Sequence, residues 1–223
     1  MYSVLLAALA GSALEWFDYF LYGTASALVF NKVMFPSSSE FISTLSAYAT
    51  FALGFIVRPV GATFFGSLGD RIGRKKVLIY TLLLMGTSTT LIGCVPTYES
   101  IGPLAPILLV ALRLLQGFGA GAEFAGAVVL TAENANERRG LYGAFPGIGV
   151  YLGLLLGAGV FALLSALPRE QFLSWGWRLP FLSSVLLISV ALAIRLALTE
   201  TKAFQRLQQS NEVSATPLRE LAQ

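Results

Sequence analysis

Six long apolar stretches joined by short polar connections dominate the chain, at about residues 4–30, 42–66, 77–95, 104–131, 141–166 and 178–198. Each has room for the roughly 20 apolar residues that carry an α-helix across a bilayer core. In hydrocarbon every backbone N–H and C=O must be bonded within the protein, so uninterrupted spans of this length are expected to be helices. Composition agrees. Of the 223 residues 56% are hydrophobic and 12% charged, half the roughly 25% charge of a soluble domain, and the mean hydropathy is +0.72. The expected fold is all-α, a polytopic membrane protein with six transmembrane helices in residues 1–199 and a polar tail over 200–223.

The same composition removes several chemistries. Without histidine there is no histidine triad, relay or metal site, and a proton handled near neutral pH must ride on a carboxylate, a tyrosine or the single thiol, Cys94. One cysteine excludes disulfide frameworks and cysteine-rich metal sites. No nucleophile–base pair or phosphate-cradling loop accompanies the carboxylates, so the chain does not read as an enzyme and needs no cofactor. Its net charge of +3 reads as topology rather than nucleic-acid binding. The first, third and fifth connections hold Lys32, Arg169 and Arg178. The second and fourth connections and the tail hold Arg71, Arg74, Lys75, Lys76, Arg138, Arg139, Lys202, Arg206 and Arg219. Basic residues collect on the cytoplasmic side, which places both termini there and suggests an inner (plasma) membrane. Arg195, at the inner end of span six, is expected to snorkel to the surface.

Five ionisable residues fall inside the spans: Glu15 and Asp18 in the first, Arg58 in the second, Arg113 and Glu123 in the fourth. At about 2.5–3.5 kcal/mol each on an insertion scale, they must be paired, hydrated or neutralised. Helical spacing puts Glu15, Asp18, Tyr19, Tyr22 and Ser26 on one stripe of span one, and Arg113, Gln116 and Glu123 on one stripe of span four. At 1.5 Å per residue, Asp18 lies about 18 Å and Arg113 about 13 Å from the outer ends of their spans, so an Asp18–Arg113 pair is expected. That pair reads either as a permanent structural bridge or as a switch, in which an anionic solute competes for Arg113 and Asp18 takes up a proton. A second cluster of Glu15, Glu123 and Arg58 is expected in the inner halves. Pro59 should kink span two and present Arg58 to a cavity, although Arg58 could instead snorkel. Gly149, Gly153 and Gly157, with Gly117 and Gly121, form small-residue stripes suited to close helix packing or to sliding.

Between spans two and three the chain reads Gly66-Ser67-Leu68-Gly69-Asp70-Arg71-Ile72-Gly73-Arg74-Lys75-Lys76, which closely resembles the signature loop of the major facilitator superfamily. Further segments resemble its metabolite:proton symporter family. They are Ala13-Leu14-Glu15-Trp16-Phe17-Asp18-Tyr19-Phe20-Leu21-Tyr22-Gly23, Arg58-Pro59-Val60-Gly61, Arg113-Leu114-Leu115-Gln116-Gly117 with Glu123 following, Glu137-Arg138-Arg139-Gly140, Trp175-Gly176-Trp177-Arg178-Leu179-Pro180-Phe181 and Glu200-Thr201-Lys202-Ala203-Phe204.

The resemblance implies secondary active transport of a small organic solute, such as a carboxylate, an amino acid or a betaine, with protons as coupling ion. It implies that Asp18, Glu15 and Glu123 handle the proton and that Arg58, Arg113, Tyr22 and Gln116 meet the solute. Gly66, Asp70, Arg71, Gly73, Arg74, Glu137, Arg138 and Arg139 would form a cytoplasmic gate. The six spans then correspond to one half of a twelve-helix major facilitator fold, and residues 200–223 to the start of its central loop. A chain of this kind is expected to be a fragment, a truncated product or one member of a split gene, with the lipid bilayer, the solute and a C-terminal six-span half, or a second copy, as partners. The alternative is a transport-inactive membrane scaffold or half-transporter.

Overall fold

The computed structural model describes residues 2–134 and 139–197. Six helical stretches among them are long and apolar enough to cross a membrane: α1 (Val4–Val33), α2 (Glu40–Ile72), α3 (Arg74–Cys94), α4 (Leu104–Ala132), α5 (Gly140–Leu164) and α6 (Arg178–Leu196). Their outward faces carry Tyr151, Leu155, Leu163, Leu186 and Val190, large and exposed, as a lipid-facing surface requires. The end of the bundle that holds the α1–α2 connection is closed by an apolar core in which Phe17, Leu21, Tyr22, Phe30, Met34, Leu109, Trp177 and Phe181 pack together.

The boundary between the second and third spans departs from expectation. Instead of ending near residue 66, α2 stays helical to Ile72, and α3 begins at Arg74. The connection shrinks to Gly73, whose φ of 101° and ψ of 150° suit a residue without a Cβ. A glycine inside a helix costs only about 1 kcal/mol, so Gly66 and Gly69 do not stop α2. Asp70 and Arg74 bridge the turn at 2.7 Å. At the other end α1 widens into a π-turn over Ser26–Phe30 and continues to Val33.

Three spans are interrupted. In α2 the helix breaks at Val57 between Glu40–Ile56 and Arg58–Ile72, because Pro59 has no N–H for the carbonyl four residues back. In α4 it breaks at Gly121–Ala122, between Leu104–Ala120 and Glu123–Asn134. In α5 it breaks at Ala144, just ahead of Pro146, between Arg139–Gly143 and Phe145–Leu164.

Glycines decide which spans touch. A Cβ on Gly149 or Gly153 of α5 would strike the backbone of Leu9 or Ala13 in α1, so those two helices meet backbone to backbone. Gly54, Gly61 and Arg58 of α2 meet Gly117, Phe118 and Gly121 of α4, respectively, in the same manner. Gly86 and Gly93 of α3 receive Ile188 and Phe181 of α6. Exchanging α1–α3 with α4–α6 maps the α2–α4 seam onto the α5–α1 seam and the α3–α6 contact onto itself. This is the exchange expected of a 3+3 repeat within one half of a transporter.

Candidate functional site

The polar stripe of α1 turns inward. Glu15 and Asp18 are each 2% exposed, and Arg113 and Gln116 of α4 are equally enclosed. With Tyr19, Gly54, Arg58, Met85, Gly117 and Ala120 they line a cavity of about 10 Å3, the room of one water. Glu15, Asp18 and Arg113 are kept from hydrocarbon in this way, because side chains of α2, α3, α4 and α6 surround them.

The expected Asp18–Arg113 ion pair does not form directly. Asp18 Oδ2 accepts from the Thr89 hydroxyl of α3 at 2.5 Å, and Oδ1 from Ser184 of α6 at 3.4 Å. Arg113 Nη1 donates to Gln116 Oε1 at 2.5 Å, and Gln116 Nε2 donates to Thr89 Oγ1 at 2.7 Å. Carboxylate and guanidinium are therefore joined through two neutral side chains. Depth along the helix placed them at similar levels, but the amide and hydroxyl occupy the space between them. The Arg113 guanidinium lies 4.2 Å from the Tyr22 ring centroid and 5.1 Å from that of Phe51. Its Nη2 donates to the Phe51 carbonyl at 3.4 Å, and its buried Nε has no hydrogen-bond partner. Tyr22 itself is fully buried and bonded to Thr50 at 2.9 Å, so it supports Arg113 from beneath, and Tyr19 takes its place on the cavity wall.

Arg58 does not snorkel. Its Nη1 donates to Glu15 Oε1 at 2.9 Å, and its guanidinium lies 4.8 Å from the centre of the Phe55 ring. The second Glu15 oxygen is buried without a partner. Glu123, expected in the same cluster, lies outside the cavity wall. It is fully buried, pairs with Arg195 of α6, and accepts from the Thr81 hydroxyl at 2.9 Å.

Arg195 overturns its own expectation. Instead of reaching the surface it is 2% exposed, and it bonds both Glu123 and the Leu78 carbonyl. The signal was present in the sequence. Ser184, Ile188, Ala191 and Arg195 recur at spacings of four, three and four, one helical face, and all four are buried. Thr89 and Ser184 were also missed, because single hydroxyls in an apolar run give no pattern on their own.

At the α2–α3 turn Asp70 and Arg74 pair while staying partly exposed, Arg71 is exposed, and Gly66 has no neighbour within reach of an added Cβ. Gly73 is the turn residue, and a Cβ on Gly69 would meet the Arg74 guanidinium. Lys75, not anticipated, donates to the Leu196 carbonyl at 2.9 Å and ties α3 to the end of α6. Glu137, Arg138 and the side chain of Arg139 lie outside the described residues.

Comparison with known proteins places this arrangement. The family profile described as "Sugar (and other) transporter" matches residues 3–222. The inner membrane metabolite transport protein YhjE of Escherichia coli is 45% identical over 217 residues, covering 96% of this chain and 49% of that protein. The shikimate transporter of E. coli is 45% identical over 205 residues (91% and 47%), and its proline/betaine transporter 44% over 202 residues (90% and 40%). Among solved structures, the partially occluded inward-open xylose transporter XylE from E. coli superposes with a TM-score of 0.80 at 19% identity, over 95% of this chain and 53% of the other. The chain spans about half the length of the curated relatives it matches.

Proposed function

Because the chain belongs to the sugar (and other) transporter family of the major facilitator superfamily, a family of membrane transporters and not of enzymes, we propose that it supplies one six-span half of a proton-coupled symporter for a small organic solute. It is a multi-pass membrane protein. On this reading it sits in the inner membrane with both termini and the Gly66–Lys76 segment in the cytoplasm, in line with the distribution of Lys and Arg. Relatives named for shikimate and for proline and betaine support a solute that carries a carboxylate, an amino acid or a betaine.

One observation carries the proposal. Asp18 and Arg113 are buried on facing spans and joined only through Gln116 and Thr89. Without a carboxylate in direct contact, the guanidinium keeps capacity for an anionic group, and its unbonded Nε is one of the donors it has to offer. When an anion draws Arg113 away, the relay to Asp18 is broken. A buried carboxylate that loses a nearby cation favours its protonated form, which links anion entry to proton uptake. Inward proton movement is driven by about 2.3 kcal/mol per 100 mV of membrane potential. Alternating access requires a second six-span body for this half to rock against, so the transport unit includes either a C-terminal half or a second copy.

The test is solute uptake into proteoliposomes. They hold the chain alone, or the chain co-reconstituted with the second half of the E. coli proline/betaine transporter, under an inward proton gradient. Uptake of radiolabelled shikimate, proline or glycine betaine by the paired halves is expected to collapse with a protonophore. Asp18→Asn is expected to abolish accumulation while leaving solute exchange. Uptake indifferent to the protonophore would contradict proton coupling. Absence of any flux from either preparation would favour a scaffold role.

A further inference from the structure

Two charged side chains stand at the helix breaks themselves. Arg58 is the first residue of the inner segment of α2, Arg58–Ile72, and Glu123 the first of the inner segment of α4, Glu123–Asn134. Each is tied to a span outside the α2–α4 seam, Arg58 to Glu15 of α1 and Glu123 to Arg195 of α6. The two breaks also lie against one another. A Cβ on Gly121 would strike the Arg58 carbonyl and the Ala62 nitrogen, and one on Gly61 would strike the Phe118 carbonyl. A helix bends most readily where its hydrogen-bond ladder is already interrupted, and adjacent breaks in touching helices share a bending axis. Beyond the breaks a partly open cavity of about 110 Å3 lies between the two inner segments and α3, edged by Phe65, Gly69, Val77, Leu78, Ala122 and Gly126. That space lets them shift without first displacing packed side chains.

Arg195 is the anchor of this assembly. It donates to Glu123 and to the Leu78 carbonyl of α3, while Gly11 of α1 leaves room for both partners by lacking a side chain. One guanidinium thereby bonds α6 to α3 and α4, beside the backbone of α1, at the level of the α4 break. The geometry points to Arg195 as a positioning residue of the transport cycle. By holding Glu123 it sets the angle at which the inner segment of α4 leaves its break, and with it that of α2. Releasing Arg195 from Glu123 lets the two segments swing together and opens the inner end. Transport gives the motion its purpose, so the assignment rests on the symporter reading. Its measurement uses neither solute nor proton gradient, and a failed flux assay and a failed distance assay are therefore separate results.

The test uses nitroxide pairs on the full chain in lipid nanodiscs, with Cys94→Ser removing the single native thiol. One pair at Ser67 and Ala193 spans the inner end, and a second at Phe41 and Leu182 spans the outer end. Glu123→Gln keeps the side-chain shape and a hydrogen-bond acceptor for Thr81, whereas Arg195→Lys keeps the charge and loses the fork. For a bend change of about 15°, a label nine residues beyond the break moves by about 3.5 Å. In both variants the inner distance is expected to shift by that amount and broaden, with the outer distance unchanged. An unchanged inner distance in both variants would overturn the assignment. So would equal broadening of both pairs or failure of both variants to fold, since either makes the bond one of general cohesion.

Discussion

The α1–α5 seam and the α2–α4 seam use one packing device in two electrical settings. In both, glycines spaced along one helix press against the backbone of the other, and each contains a helix break followed closely by proline, at mid-span at Val57 of α2 and near the Gly140 end at Ala144 of α5. At the described α5 glycines the α1–α5 contact involves Leu9, Ser12, Ala13 and Phe17, with no ionised group among them. The α2–α4 contact is flanked by Arg58, Arg113, Gln116 and Glu123, and it borders the polar cavity. Close packing is thus duplicated, while charge is confined to one copy. A seam that buries ionised groups invites water and rearrangement. A neutral glycine seam has no comparable cause to open, so α1–α5 is expected to act as the fixed frame and α2–α4 as the working face.

The largest effect should come from the feature the two seams share. A side chain at Gly117 would be driven into the Gly54 backbone, and one at Gly153 into Ala13 and Phe17, with no rotamer able to relieve either clash. Gly117→Val and Gly153→Val are each expected to cost about 3 kcal/mol, at the upper end for overpacking, by denaturation of the purified protein in detergent. Tolerance at one site alone would end the equivalence of the seams. A smaller loss should follow from charge. Glu15→Leu leaves Arg58 without its carboxylate, but Arg58 is 24% exposed and can hydrate, so about 2 kcal/mol is expected rather than the 3–5 kcal/mol of a fully enclosed pair. If Glu15→Leu proved stabilising, the pair would not be needed to keep Arg58 in place. The smallest change should come from the neutral seam. The Ser12 hydroxyl is buried with no hydrogen-bond partner, so Ser12→Ala is expected to stay within about 0.5 kcal/mol of the unsubstituted chain or to stabilise it slightly.

Span number, helical class and the inward turn of the α1 stripe were legible because hydrophobic periodicity over 20 residues is a strong signal, and because charges in hydrocarbon have so few tolerable settings. The partners of those charges were not. Asp18 and Arg113 were placed at compatible depths, yet depth says nothing of the Gln116 and Thr89 side chains standing between them. Arg195 was assigned to the surface from its position near a span end, although its face, shared with Ser184, Ile188 and Ala191, pointed into the bundle. The Gly66–Lys76 segment read as a loop because glycines and charges weaken helix propensity, whereas tertiary packing holds it helical up to Gly73. The pairing of α2 with α4 and of α5 with α1 depends on three-dimensional neighbours that no local pattern encodes, even though the stripes taking part could be named.

The division between a fixed seam and a working seam is open to direct measurement by amide hydrogen exchange on the unsubstituted chain in nanodiscs. Residues 54–61 and 117–123 are to be compared with residues 9–17 and 149–157. The charged seam is expected to exchange roughly tenfold faster, equivalent to about 1.4 kcal/mol less protection. Equal protection of the two seams, or faster exchange along α1 and α5, would contradict it.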